Sequence, residues 1–291
     1  SVVECSYLGL APDGVTVKGN FDGIRIGGSF NNTIGGTSAL VRNVISGNIR
    51  NGVLITGPVD GVSGSVMQNL VQGNFIGTDA PGTLNRGNGS NGVHIINSAS
   101  NTIGGAGARN VISGNSGEGV RIDGDTATGN VIQGNYIGTN ASGTVDLDND
   151  LGNGLSGVYI RRAPGNSVIG NVVSGNNGFA GVAICGNAAF CGGGDLGTQG
   201  NNASGNVVQG NFIGTDVTGS AALGNAPRGV SIDGAPNTLV GGLGVGVGNV
   251  ISGNAWGVVI NDPLSTGNRV LFGRYAGIPV ALDDRLFTLL W

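Results

Sequence analysis

The chain has 291 residues, a net charge of −4 and only 10% charged residues, with one lysine (Lys18) and one histidine (His94). That balance argues against a nucleic-acid or anionic-membrane partner, and no apolar run is long enough to span a bilayer as a helix. The 61 glycines follow no collagen period, and the 39% hydrophobic content, with evenly placed Val and Ile, argues against disorder.

In chain order, residues 2–20 read as most of a repeat unit beginning mid-phrase, so we expect a chain cut from a longer solenoid. From Gly23 onward four phrases recur: GVxI, then NxIGG, then NVISGN, then GVxI again, then NxxQGNxIGT. The GVxI-type phrases start at Gly23, Gly52, Gly92, Gly119, Gly157, Gly181, Gly229 and Gly257. Their spacings alternate between about 24–30 and about 38–48 residues, so two coil types take turns. The short coil carries NxIGG and NVISGN; the long coil carries NxxQGNxIGT and a loop of the form [DN]xxG[TS]xxLGN.

Each phrase is four to six residues long, with period-2 hydrophobicity and glycine boundaries, which predicts strand rather than helix. In GVxI the Val and Ile face one side and the variable residue faces the other. No coil can bury its apolar face alone, but stacking coils in register buries it between neighbours. The expected fold is therefore all-β: a single right-handed parallel β-helix of about eight coils over residues 1–291, the hand following from the crossover rule. The apolar segment 276–291 leaves the repeat and is expected to cap the last coil.

The SGN and QGN phrases place Asn48, Asn74, Asn115, Asn135, Asn176, Asn211 and Asn254 once per coil. We expect one ladder of stacked amides there, with each Asn taking a left-handed turn. Ser6 and Phe272 interrupt the series at its ends. Asn140, in a long-coil loop, is expected at the surface.

The alternation of IGTDxxGTxxLGN with RNVISGN resembles the right-handed parallel β-helix repeats of large bacterial secreted and surface proteins, within the pectate-lyase-like superfamily. The resemblance covers about residues 2–275. It implies a secreted or cell-surface location and neighbouring repeats of a longer parent chain. It implies no single activity, because the superfamily includes lyases, hydrolases, epimerases, adhesins and non-catalytic stalks.

Function must then come from positions that point outward or break the repeat. The variable residue of GVxI forms a column of Arg25, Leu54, His94, Arg121, Tyr159, Ala183, Ser231 and Val259. Near it, His94, Arg121, Asp123, Tyr159 and Arg161 are the catalytic candidates, and Arg121, Tyr159, Arg161 and Arg162 the ligand-binding candidates. An aromatic ring with several arginines suits an acidic sugar chain. A lyase would need in addition a base beside a cation that neutralises the uronate carboxylate.

The expected duty is structural or adhesive, with a polysaccharide or cell-surface glycan as partner; the alternative is a polysaccharide lyase or related carbohydrate-active enzyme. Spatial convergence of the candidates in a walled cleft would favour the enzyme. No P-loop, dinucleotide or zinc motif is present. Calcium is the only cofactor candidate, through Asp146, Asp148 and Asp150 at i, i+2, i+4 in a glycine-rich loop that departs from the EF-hand pattern. Cys185 and Cys191 flank a five-residue loop and are expected to close a disulfide in an oxidising compartment; Cys5 has no evident partner.

Overall fold

A computed structural model describes residues 1–58, 67–145, 152–186 and 203–271, with the backbone of 287–289. Its strands form three sheets of nine, eight and nine strands, and each sheet takes every third strand of the chain except for the last strand, Phe287–Leu289. Every pairing between these strands is parallel, and the isolated bridges Leu10–Val17, Thr78–Asn85 and Thr215–Ala222 within long-coil loops are antiparallel. The chain thus winds as a parallel β-helix. The NxIG and NxxQ phrases supply the first sheet, two-residue pairs of an aromatic residue or Val followed by Ile, Leu or Val the second, and GVxI the third.

Register is in step along the whole third sheet. Arg25 pairs with Leu54, Leu54 with His94, His94 with Arg121, Arg121 with Tyr159, Tyr159 with Ala183, Ala183 with Ser231 and Ser231 with Val259. A one-residue slip would turn every core side chain outward, so the alternation of Val and Ile holds the register. The inward residues form one continuous core, including Ile55, Ile95, Ile122 and Ile160 from the third sheet and Ile45, Ile76, Ile112 and Ile137 from the second. The strand Phe287–Leu289 pairs in parallel with Trp256–Asn261; the remainder of the expected cap, and Phe272, lie outside the described residues.

The single asparagine ladder expected from the sequence is in fact divided between two corners, and a third ladder joins them. At the corner between first and second sheets run Asn43, Asn74, Asn110, Asn135, Asn171, Asn211 and Asn249. Between second and third sheets run Asn20, Asn48, Asn88, Asn115, Asn153, Asn176, Asn225 and Asn254. Asn32, Asn69, Asn101, Asn130, Asn166 and Asn206 run at the entry to the first sheet.

The reason for the division is that the two coil types carry their insertions at different corners. The Asn of QGN aligns with the first Asn of NVISGN, and the Asn of LGN aligns with its last. Ser6 does end a ladder, donating its backbone N–H to Asn43. Asn237 turns with φ 57°, and Thr238 takes its ladder place, donating to Asn268.

A second correction concerns the turn itself. In the SGN and QGN phrases the left-handed residue is the glycine before the Asn: Gly47, Gly73, Gly114, Gly134, Gly175, Gly210 and Gly253 have φ between 66° and 76°. Glycine adopts that region without a steric penalty, which leaves the Asn free to use its side chain. Asn74 shows the full pattern. Its Oδ1 accepts from the backbone N–H and the amide of Asn43, while its Nδ2 donates to Asn110 Oδ1 and to the Ile34 carbonyl. Asn140 is not at the surface either. It is buried, and its Oδ1 accepts from Ser142 Oγ and the Thr144 N–H, as Asp79 and Asp216 do in the sister loops.

Replacing Asn115 or Asn135 with Ala strands buried donors and acceptors on both neighbouring coils. Each change is expected to cost about 1–3 kcal/mol, whereas Lys18→Ala at an exposed position stays within about 0.5 kcal/mol. Because the two residues lie in different ladders, the double variant should be close to additive in denaturant unfolding.

Candidate functional site

Three adjacent strands of the third sheet, Val93–Ile96, Val120–Asp123 and Val158–Arg161, carry the sequence-predicted candidates. Their second residues, His94, Arg121 and Tyr159, are direct neighbours on the outer face. The fourth positions of the last two strands bring Asp123 opposite Arg161. The outermost of these strands are two spacings apart, about 10 Å.

Asp123 organises the cluster. Its Oδ2 accepts from His94 Nε2 at 2.8 Å and from Arg121 Nε at 2.5 Å. Its Oδ1 accepts from Arg161 Nε at 2.6 Å and, more weakly, from Arg121 Nη2 at 3.4 Å. Burial raises the proton affinity of Asp123, but the hydrogen bonds from His94 and Arg121 and the charges of Arg121 and Arg161 override it. The carboxyl is held well below the usual range.

Arg121 also meets Glu118 at 3.3 Å, and its guanidinium lies 5.2 Å from the centre of the Tyr159 ring. Burial weakens the hold of Arg121 on its proton, yet the bond and charge of Asp123 and the charge of Glu118 raise it above the ordinary value. Tyr159 is buried and is pushed up to about 12, first by burial, with the two arginines opposing and the two carboxylates reinforcing.

These values limit the available chemistry. Asp123 is too weak a base at neutral pH, and Tyr159 stays protonated. A carboxylate only accepts, so His94 Nε2 must donate to it, which leaves the lone pair on Nδ1. In its neutral form His94 thus presents Nδ1 as a base within the cluster. Two guanidinium groups face two carboxylates, so the charge is largely balanced within the site.

Arg162 does not join the cluster. It follows the strand in a left-handed turn, φ 51°, and its Nη2 pairs with Asp125 Oδ2 at 3.0 Å. Further along the column, Ala183, Ser231 and Val259 are buried although they point away from the interior, and Tyr159 packs with Ala180, Ala183 and Cys185. The sequence reading missed Glu118, whose position three residues before Arg121 was a usable signal. It also missed Asp233, buried in the same register column and bonded to Ser231 and Asn261.

Cys185 is buried and disulfide-bonded, and Cys5 is free. Cys191, Asp146, Asp148 and Asp150 lie outside the described residues, as do segments 59–66 and 187–202, which adjoin strands of this sheet. Among the described residues no group of three or more His, Cys, Asp or Glu is placed to hold a metal.

Among solved structures the chain is similar to the periplasmic alginate epimerase AlgG, with TM-score 0.50 and 15% identity over 87% of this chain and 47% of that one. A mutant of the same epimerase aligns with TM-score 0.51 and 16% identity, covering 87% and 48%. The A-module of the Azotobacter vinelandii mannuronan C-5 epimerase AlgE6 aligns less well, at TM-score 0.42, 18% identity, 87% and 52%. The chain spans about half the length of these structures. At these identities the likeness shows the fold alone, a parallel β-helix. No protein-family model and no curated protein matches the sequence.

Asp123→Asn removes the charge that holds two arginines, and is expected to cost roughly 3 kcal/mol at pH 7. The carboxyl is depressed on folding, so its contribution is complete above about pH 4 and is lost as the pH falls through and below that value. The gap between wild type and variant should therefore narrow by about 1 kcal/mol at pH 3, measured by denaturant unfolding at both pH values.

Proposed function

We propose that this chain is a polysaccharide-binding β-helix module whose third-sheet face contacts sugar hydroxyls through His94, Arg121, Asp123 and Arg161. The observation that carries the reading is the network around Asp123. It is a polar array of donors and an acceptor, held rigid by the sheet and 16–21% exposed at its His and Arg side chains. Sugar hydroxyls both donate and accept, so they match an array of mixed polarity better than a bare anion would. Pre-organisation by the sheet lowers the ordering cost of binding. That the fold is shared with an alginate epimerase supports a polysaccharide as the ligand class. The disulfide at Cys185 supports an oxidising location, secreted or at the cell surface.

A second reading is a carbohydrate-active enzyme acting on a uronate-containing glycan. The His94–Asp123 pair favours it, since an oriented imidazole is the usual form of a general base.

Affinity electrophoresis in gels containing neutral or uronate polysaccharide tests the first reading. Wild type should be retarded, and His94→Ala and Arg161→Gln should each weaken retardation about tenfold or more. Wild type running unretarded in every gel would overturn it. Release of an ultraviolet-absorbing unsaturated uronate, abolished by His94→Ala, would instead establish the enzyme.

A further inference from the structure

The outer face of the second sheet carries a groove of about 720 Å3 that the candidate cluster does not use. Its floor is the outward column of that sheet, where Phe75, Val111, Tyr136, Val172 and Phe212 are successive register partners. One wall is built from the long-coil loops, which hydrogen-bond to one another along the axis: Ala80 N–H to the Gly14 carbonyl, Ala141 to Gly82 and Val217 to Gly143. The short-coil loops around residues 36–39 and 105–109 form the other wall.

Two arginines lie over this floor. The Arg42 guanidinium sits 4.0 Å from the centre of the Phe75 ring, and that of Arg109 sits 3.9 Å from the centre of the Tyr136 ring. Both arise from one sequence relation. Each Arg directly precedes a ladder Asn, Asn43 or Asn110, and each aromatic residue directly follows the ladder Asn of the next coil, Asn74 or Asn135. The ladders therefore align ring and guanidinium. The relation ends at Asn171, which Gly170 precedes.

Among the described residues no Asp or Glu lines the groove, and neither Arg42 nor Arg109 has an ion pair. In a chain of net charge −4 this is a local cluster of two cations without an ion-paired carboxylate among the described residues. The Arg42 Nε donates to the Gly73 carbonyl at 3.3 Å, which fixes the guanidinium without neutralising it, and burial lowers its hold on its proton.

We propose that this groove binds an anionic polysaccharide lying along the solenoid axis, with Arg42 and Arg109 holding carboxylates of alternate sugar residues. The two arginines are related by two strand spacings, about 10 Å. In an extended two-fold glycan a residue advances by about one strand spacing, so carboxylates projecting to the same side recur at that interval. A guanidinium stacked on a ring is fixed in orientation and offers its edge N–H groups to a carboxylate. Single-stranded nucleic acid fits less well, because the ring faces it would stack on are already covered by guanidinium groups. This site is separate from the third-sheet array and differs from it in ligand charge.

Fluorescence anisotropy with a labelled uronate hexasaccharide, its carboxyl-reduced counterpart and a single-stranded oligonucleotide tests the proposal on the full chain. The uronate hexamer should bind in a salt-sensitive manner, and the reduced hexamer at least about tenfold more weakly. The Arg42→Gln/Arg109→Gln double variant should lose at least about tenfold in affinity, and the corresponding Lys pair less, since it keeps the charge but not the planar stack. Arg269→Gln, remote from the groove, should bind as wild type does. An unchanged melting temperature would show that the loss is not misfolding. The proposal is overturned if wild type does not bind the uronate hexamer, if the reduced hexamer binds equally, or if the oligonucleotide binds as tightly. A His94→Ala variant that loses the uronate hexamer while the Gln pair retains it moves the carboxylate site to the third sheet, overturning this inference and leaving the other reading intact.

Discussion

The structure depends on satisfying the peptide groups at the corners where one sheet gives way to the next. Each coil must turn sharply three times while its backbone stays buried between neighbours, and buried amide groups without partners are costly. Stacked asparagines solve this at all three corners. Each side chain closes the hydrogen bonds of its own turn and those of the coil on either side. Glycine makes the arrangement possible by taking the left-handed position just before the Asn at two of those corners. A Cβ on the neighbouring IGT glycine Gly77 would lie 2.2 Å from the Ser113 carbonyl. The serines of NVISGN add a parallel tie: Ser46 and Ser113 bond the carbonyls of Thr78 and Thr139 in the following coil.

With the corners held in step, every outward position becomes a column at strand spacing, and function can be assembled across coils. The third sheet shows one outcome. Asp123 gathers His94, Arg121 and Arg161 from three strands, and with Glu118 its charge offsets those of the two arginines. The second sheet shows another, where arginine and aromatic residue alternate coil by coil without a carboxylate between them. The same scaffold thus presents two faces of different electrostatic character, one with its charges paired and one with two arginines stacked on rings. This difference arises from a few side chains, since the backbone of the two sheets repeats alike.

The repeats made the class of fold readable because period-2 alternation and glycine punctuation act locally. The outward column from Arg25 to Val259 follows from alternation alone, and the pairings reproduce it residue by residue. The ladders were less legible. Asn74 and Asn115 sit in phrases that look alike, yet they occupy different corners, because the QGN turn lacks the spacer that the short coil inserts before NVISGN. Only the register between coils distinguishes them.

What the sequence by itself determined is the short strand, the glycine turn and the stacking of like on like, since these rest on local sterics and on apolar faces that one coil cannot bury. It also identified His94, Arg121, Asp123, Tyr159 and Arg161 as neighbours. Tertiary structure decided what those neighbours do: whether Asp123 is a base or the anchor of three cationic or donating groups, that Arg162 turns away to Asp125, and that Arg42 and Arg109 lie on rings in the next coil. These outcomes depend on distances and burial between coils 25–40 residues apart in the chain, where side-chain direction and shared charge, rather than residue type, set the chemistry.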